Sequence, residues 1–120
     1  MRFSLVAIVC ILLLGCKKEE EVPSLENTTW DFTLIHNEDL SWQADVLFKD
    51  DGTSVYDEPA FPGVYTQYGT WSLNGNILNY NMDASSTNDS YIFTGTVTDN
   101  FMEGTYTWNG ETKVWNAVPK

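Results

Sequence analysis

Apolar and polar positions alternate with a period of two through most of the chain beyond Thr28. Trp30, Phe32 and Leu34 alternate with Thr29, Asp31 and Thr33, and Trp42, Ala44, Val46 and Phe48 with Gln43, Asp45 and Leu47. Successive side chains of a strand point to opposite faces, so this period marks strands with one buried side. Cut at its turn residues, the pattern predicts eight strands, over 28–35, 41–48, 53–56, 64–73, 76–82, 91–98, 101–108 and 111–118. No stretch has helical period.

The turns tie these strands into hairpins. Asn74-Gly75 is a strong two-residue signal, because a type I′ turn needs φ > 0 at both central positions. It predicts Leu73 opposite Asn76 and sets Trp71, Leu73, Leu78, Tyr80 and Met82 on one face. Asp99-Asn100 and Asn109-Gly110 are two further two-residue turns. With Asp99-Asn100 as the loop, Tyr91, Phe93, Gly95 and Val97 share a face with Met102, Gly104, Tyr106 and Trp108. Beyond Asn109-Gly110 that face gains Trp115 and Ala117. It also gains Glu111 and Lys113, which sit near the strand end within reach of solvent. The loop at Lys49-Asp50-Asp51-Gly52 reads as three or four residues, which leaves the register of 53–56 open.

Three tripeptides recur: Gly69-Thr70-Trp71, Gly95-Thr96-Val97 and Gly104-Thr105-Tyr106. Each glycine falls on the inward face, where it relieves crowding and lets a strand coil. Eight consecutive antiparallel strands with one apolar face can close into an up-and-down barrel, which removes both sheet edges. A two-sheet sandwich is the alternative; the succession of tight hairpins favours the barrel.

The first residues belong to a different plan. Arg2 is a short basic region, and 3–14 is an apolar run too short to span a bilayer and suited to a signal-peptide core. It ends in Leu13-Leu14-Gly15-Cys16. That tetrapeptide resembles the lipobox of bacterial lipoproteins, which implies cleavage before Cys16, a lipid on its sulfur and N-acylation. Several acyl chains give stable anchoring where one is marginal. The chain then divides into a signal peptide at 1–15, a lipidated cysteine with flexible tether at 16–24, and a barrel domain at 25–120. Cys10 is lost with the signal peptide, so no thiol remains for a disulfide. The tether, Lys17-Lys18-Glu19-Glu20-Glu21-Val22-Pro23-Ser24, has little to bury. Its basic-then-acidic run resembles the surface-export signal of Bacteroidota lipoproteins. The resemblance implies an outer-membrane lipoprotein exposed at the cell surface.

The segments Phe48-Lys49-Asp50-Asp51-Gly52-Thr53 and Gly69-Thr70-Trp71-Ser72-Leu73-Asn74-Gly75-Asn76 resemble those of the lipocalin-like lipoproteins of Bacteroidota. The resemblance covers most of the domain and implies a lipocalin-like β-barrel. Lipocalins carry Gly-x-Trp on the first strand; here Thr28-Thr29-Trp30 keeps the Trp and lacks the Gly. No binding residues are carried over from the family.

Charge narrows the partners. The net charge is −11, and removing 1–15 takes away only Arg2, which makes it −12. Such a surface repels nucleic acid and anionic headgroups. Nothing indicates a cofactor, and a monomer is expected. No Gly-x-Ser-x-Gly elbow occurs, and His36 is the only histidine. Placed in a loop beside Asn37-Glu38-Asp39, His36 reads as a solvated polar residue, with a general base or a metal ligand as the chemical alternatives. Asp50-Asp51-Gly52 reads as a turn. Asp83, Asn88 and Asp89 could offer oxygens to Ca²⁺, but without the alternating pattern and closing Glu of an EF-hand loop. No catalytic or metal residues are assigned.

Nine large rings fall on the predicted interior face: Trp30, Trp42, Trp71, Tyr80, Tyr91, Phe93, Tyr106, Trp108 and Trp115. They read either as a ligand cage or as filling. An eight-stranded barrel holds side chains or one small ligand, so a mostly filled core with at most a shallow cup is expected. The loops 36–40, 57–63 and 83–90 follow alternate strands and share one end. They bring His36, Glu38, Asp39, Asp57, Glu58, Phe61, Asp83 and Asp89 to the mouth as candidate binding residues. Phe61, between Pro59 and Pro62, is expected to fold over the barrel end as a lid or to offer a partner an aromatic contact. The tether leaves from the opposite end. The functional expectation is a non-catalytic binding module for a small molecule or protein, held to the membrane through Cys16. An accessory subunit of an envelope complex is the alternative, and an enzyme the remotest.

Overall fold

The structure, a computed structural model, describes residues 24–85 and 91–120. Eight antiparallel strands follow in chain order: β1 Thr28–Asn37, β2 Leu40–Phe48, β3 Thr53–Asp57, β4 Gln67–Asn74, β5 Ile77–Asn81, β6 Ile92–Thr98, β7 Phe101–Trp108 and β8 Glu111–Pro119. Each pairs with its neighbour in sequence, and β1 pairs with β8, which closes the barrel. Among the described residues there is no helix. This architecture is compatible with a lipocalin-like fold.

The period of two in the sequence becomes the inside and outside of the wall. Phe32, Leu34, Ala44, Val46, Phe48, Leu78, Tyr80, Phe93, Val97, Met102, Tyr106, Trp115 and Ala117 are all buried. Phe32 sits at the centre, stacked on Trp115 at 4.7 Å and 2°, and meets Tyr80 and Phe93 edge-on at 5.9 Å. Offset and edge-to-face rings favour such contacts beyond their area alone. The core is therefore one hydrophobic cluster with these rings at its centre. Leu25, 2% exposed, is part of it. Asn27 N–H donates to the Phe48 carbonyl at 2.6 Å, which holds this leading segment against the sheet.

The register corrects one turn. Asn74 pairs with Ile77, and Leu73 with Leu78 rather than Asn76. The two-residue loop is thus Gly75-Asn76. Gly75 has φ of 64° and Asn76 does not share the positive φ, the pattern of a type II′ turn. The slip changes no face, because it moves the pairing by two residues. Asn109 and Gly110, with φ of 51° and 81°, form the expected type I′ turn. Asp99-Asn100 is also the loop expected. The loop after β2 is three residues, with Lys49 N–H donating to the Thr53 carbonyl at 2.8 Å. Phe48 then faces Ser54 and Val46 faces Tyr56, so Ser54 and Tyr56 point inward. β4 begins at Gln67, not Val64, because the preceding loop extends through Thr66.

Of the nine rings, Trp30, Tyr80, Phe93, Tyr106 and Trp115 are buried, while Trp42, Trp71, Tyr91 and Trp108 are half-buried against the core. Trp71 lies at the tight-turn end. Its ring meets Phe48 at 5.5 Å and its Nε1–H donates to the Lys49 carbonyl at 2.9 Å. Trp71→Ala is therefore expected to cost on the order of 2 kcal/mol, below the roughly 3–5 of a fully buried Trp. Urea denaturation checks this by a midpoint shift clearly smaller than that of a central ring.

Candidate functional site

The connections after β1, β3, β5 and β7 share one end of the meander, and the barrel is hollowed there. A cup of about 130 Å³ opens among Trp42, Tyr56, Glu58 and Tyr65, with Gln67, Met82 and Tyr91 completing it. Trp42 comes from the start of β2, Tyr56 from the end of β3, Met82 from just beyond β5 and Tyr91 from just before β6. Tyr91 holds φ of 64°, an uncommon conformation for a residue with a Cβ, and its N–H donates to the Thr107 carbonyl at 2.8 Å.

A short relay organises the cup. Trp42 Nε1–H donates to Tyr56 Oη at 3.2 Å, and the Tyr56 hydroxyl donates to Glu58 Oε2 at 2.6 Å. The second bond has the length of a charge-assisted O–H···O⁻ contact. Burial holds the Tyr56 phenol proton well above its usual range, and the Glu58 bond adds to this. Trp42 is packed in turn against Trp108 at 6.2 Å and His36 at 6.4 Å. The indole, phenol and carboxylate are thus held by one another and by neighbouring rings.

The expected mouth residues divide by what they already do. His36 is not a loop residue. It lies within β1 at a register irregularity between Ile35 and Asn37, with its ring edge-on to Trp108 at 4.1 Å. The two-residue hairpin Glu38-Asp39 follows, shorter than the loop expected over 36–40, because β1 and β2 run on to pair Asn37 with Leu40. Asn37 Oδ1 accepts the Asp39 N–H at 2.8 Å, which shapes that turn. Glu38 and Asp39 are exposed.

Asp57 Oδ1 accepts from Gly63 N–H at 3.1 Å and from Thr66 Oγ1 at 3.0 Å, so this carboxylate holds its own loop together. Asp83 Oδ1 does the same for Ser85, through N–H at 3.0 Å and Oγ at 2.7 Å. Among the described residues, Glu58 alone of the acidic candidates lines the cup. Phe61 is 55% exposed and touches Tyr65 edge-on at 5.8 Å. It does not act as a lid: the loop turns it outward, with Val64 and Tyr65 also exposed. Cys16 and Asp89 lie outside the described residues, as does most of the polar loop considered for Ca²⁺. No group of three or more His, Cys, Asp or Glu converges among the described residues.

On the far side of the mouth, Lys113 Nζ pairs with Glu111 at 2.9 Å. That pairing holds the Glu111 carboxyl below its usual range. Reading the chain as sequence did not pick out Tyr56, Tyr65, Gln67 and Met82 as lining residues. The signal was present in Ser54, Tyr56 and Glu58, which share one face once the register of β3 is known. A wider groove of about 410 Å³ lies at the opposite end, between Leu25, Gly52 and Trp71. It adjoins Ser24, where the chain continues back toward Cys16, and it lacks the relay of fixed polar groups. Comparison with family models, with curated proteins and with solved structures finds no match to the chain.

Proposed function

We propose that this chain is a non-catalytic binding module, tethered to a membrane through lipid on Cys16, that takes its ligand at the long-loop mouth. The observation that carries this reading is the cup itself: a packed barrel with a recess whose Trp42, Tyr56 and Glu58 are held in place before any ligand arrives. Preorganised groups reduce the ordering cost of binding. His36, the one histidine of the chain, is packed against Trp42 and Trp108. A lipocalin-like lipoprotein of the outer membrane, facing the cell exterior, is the corresponding placement. The tether joins at the end opposite the mouth and would direct the recess away from the bilayer.

The binding reading is tested with the full chain in detergent micelles, screened by thermal shift against small molecules. A ligand should raise Tm by mass action. The shift should be lost in Tyr65→Ala and kept in Ile77→Ser, which lies at the other end. Loss in Ile77→Ser alone would place binding at the wrong end. The anchoring reading has its own test: Cys16→Ser is expected to move the protein from the membrane to the soluble fraction. Mass spectrometry of the wild type should show the acylated cysteine.

An accessory subunit of an envelope complex is the second reading. The exposed Phe61, Val64, Tyr65 and Tyr68 favour it, because aromatic residues concentrate in interface cores. It predicts a co-purifying protein that is lost in Phe61→Ser.

A further inference from the structure

From the cup's chemistry we infer that its ligand carries a methylated ammonium group; this rests on the binding reading above and names its ligand class. Three features converge. First, the walls are rings: Trp42, Tyr56, Tyr65 and Tyr91 border one recess. Ring faces attract cations, Trp most strongly, and aromatic enclosures are a recurrent way to hold quaternary ammonium groups. Second, Glu58 stands in the same wall, and among the described residues no Lys, Arg or His is paired with it. The one described partner of its carboxylate is the neutral hydroxyl of Tyr56, so its charge is left to act on the cup. Third, the volume of about 130 Å³ is well below that of drug-sized pockets and equals roughly four waters. A compact head group of a few heavy atoms fits, with the rest of the ligand outside.

The same geometry disfavours the alternatives. An anion would meet Glu58 and an acidic rim. A sugar would find the Trp42 indole N–H and the Tyr56 hydroxyl already used within the relay, with only the Tyr65 and Tyr91 hydroxyls and the Gln67 amide left as side-chain donors of the wall. A bare ammonium would need acceptors for three N–H groups at once, which Glu58, Gln67 and the Tyr65 and Tyr91 hydroxyls would have to supply within one small recess. Methyl groups on nitrogen remove that demand and present apolar surface to rings and to the Met82 thioether. Lys113, the fixed cation of the mouth, is already paired with Glu111 and does not line the cup.

The experiment titrates the full chain in detergent micelles with tetramethylammonium and with choline. The neutral carbon isostere of choline, 3,3-dimethylbutan-1-ol, is the control. Binding is followed by calorimetry and by the Trp42 indole N–H resonance. Both cations should bind and shift that resonance, and the isostere should bind about tenfold or more weakly. Glu58→Gln should weaken cation binding about five- to tenfold and Tyr65→Ala severalfold, while Ile77→Ser leaves it unchanged. Equal binding of the isostere, or cation binding indifferent to both cup variants, overturns the inference. If neither cation binds but a neutral ligand binds and is lost in Tyr65→Ala, the ammonium assignment falls and the binding reading stands. If neither cation binds and the screen also yields no ligand, both fall.

Discussion

Replacing Trp115 by Ala is expected to lower the unfolding free energy by about 3–5 kcal/mol, which is most of the stability of a small domain at the lower end of the usual range. The ring is 1% exposed, stacked on Phe32 and edge-on to Phe93 at 5.8 Å. Its Nε1–H donates to the Thr105 carbonyl at 3.0 Å, so truncation leaves a cavity and also removes that carbonyl's indole donor. Both terms add to the lost transfer energy. Urea denaturation followed by the remaining tryptophans should show a midpoint far below that of the wild type. Trp71→Ala should fall between the two. A Trp115→Ala midpoint equal to that of Trp71→Ala would contradict the central placement of the ring.

How far the chain could be read without coordinates follows from which interactions are local. Strand number, order and inward faces were accessible because the period of two and the Asn109-Gly110 turn are local signals that agree. The Gly75 turn was displaced because Asn74-Gly75 and Gly75-Asn76 are both acceptable loops. A bond from another strand accompanies the observed register, with Val97 N–H donating to the Asn76 carbonyl at 2.9 Å. No local pattern contains that bond. The misplacement of His36 has the same origin. Asn37 closes a two-residue turn with its own side chain, and the strand extends past the point where alternation ends.

The candidate site was readable as an end of the barrel, not as a set of residues. Acidic loop residues look alike in sequence whether they face a ligand or hold their own turn. Asp57 and Asp83 hold turns, whereas Glu58 meets a phenol. What separates them is the facing of β3, which depends on the length of the loop after β2. That loop is settled by backbone pairing and by Thr53, whose N–H and hydroxyl donate to Asp51 at 3.0 and 2.6 Å. Once Ser54 and Tyr56 point inward, the strand's next inward position carries Glu58 to the rim.

The second large effect is expected at Gly104. Gly95 and Gly104 face each other across β6 and β7. A Cβ on Gly104 would run into the Thr94 carbonyl and would lie 2.5 Å from the Gly95 Cα. Those are backbone atoms and cannot rotate away, so Gly104→Ala must push the two strands apart. Overpacking of this kind costs about 1–3 kcal/mol, and the upper end or beyond is expected where only backbone can yield. Gly95 differs in what it meets. A Cβ there would lie 2.6 Å from Cζ2 of Trp115 as well as against the Glu103 backbone. The space a side chain would occupy at Gly95 is therefore partly filled by the ring at the centre of the core. This gives the pair of glycines a distinguishing signature in double mutants. Gly95→Ala should cost less in a Trp115→Ala background than alone, by a coupling of about 0.5–3 kcal/mol, because the Cβ enters space the ring has left. Gly104→Ala should cost nearly the same in either background, since the three atoms nearest its Cβ all belong to the backbone of Thr94 and Gly95. Equal coupling for both glycines would mean that the Trp115 ring does not lie over Gly95, and the packing described for the barrel centre would have to be redrawn.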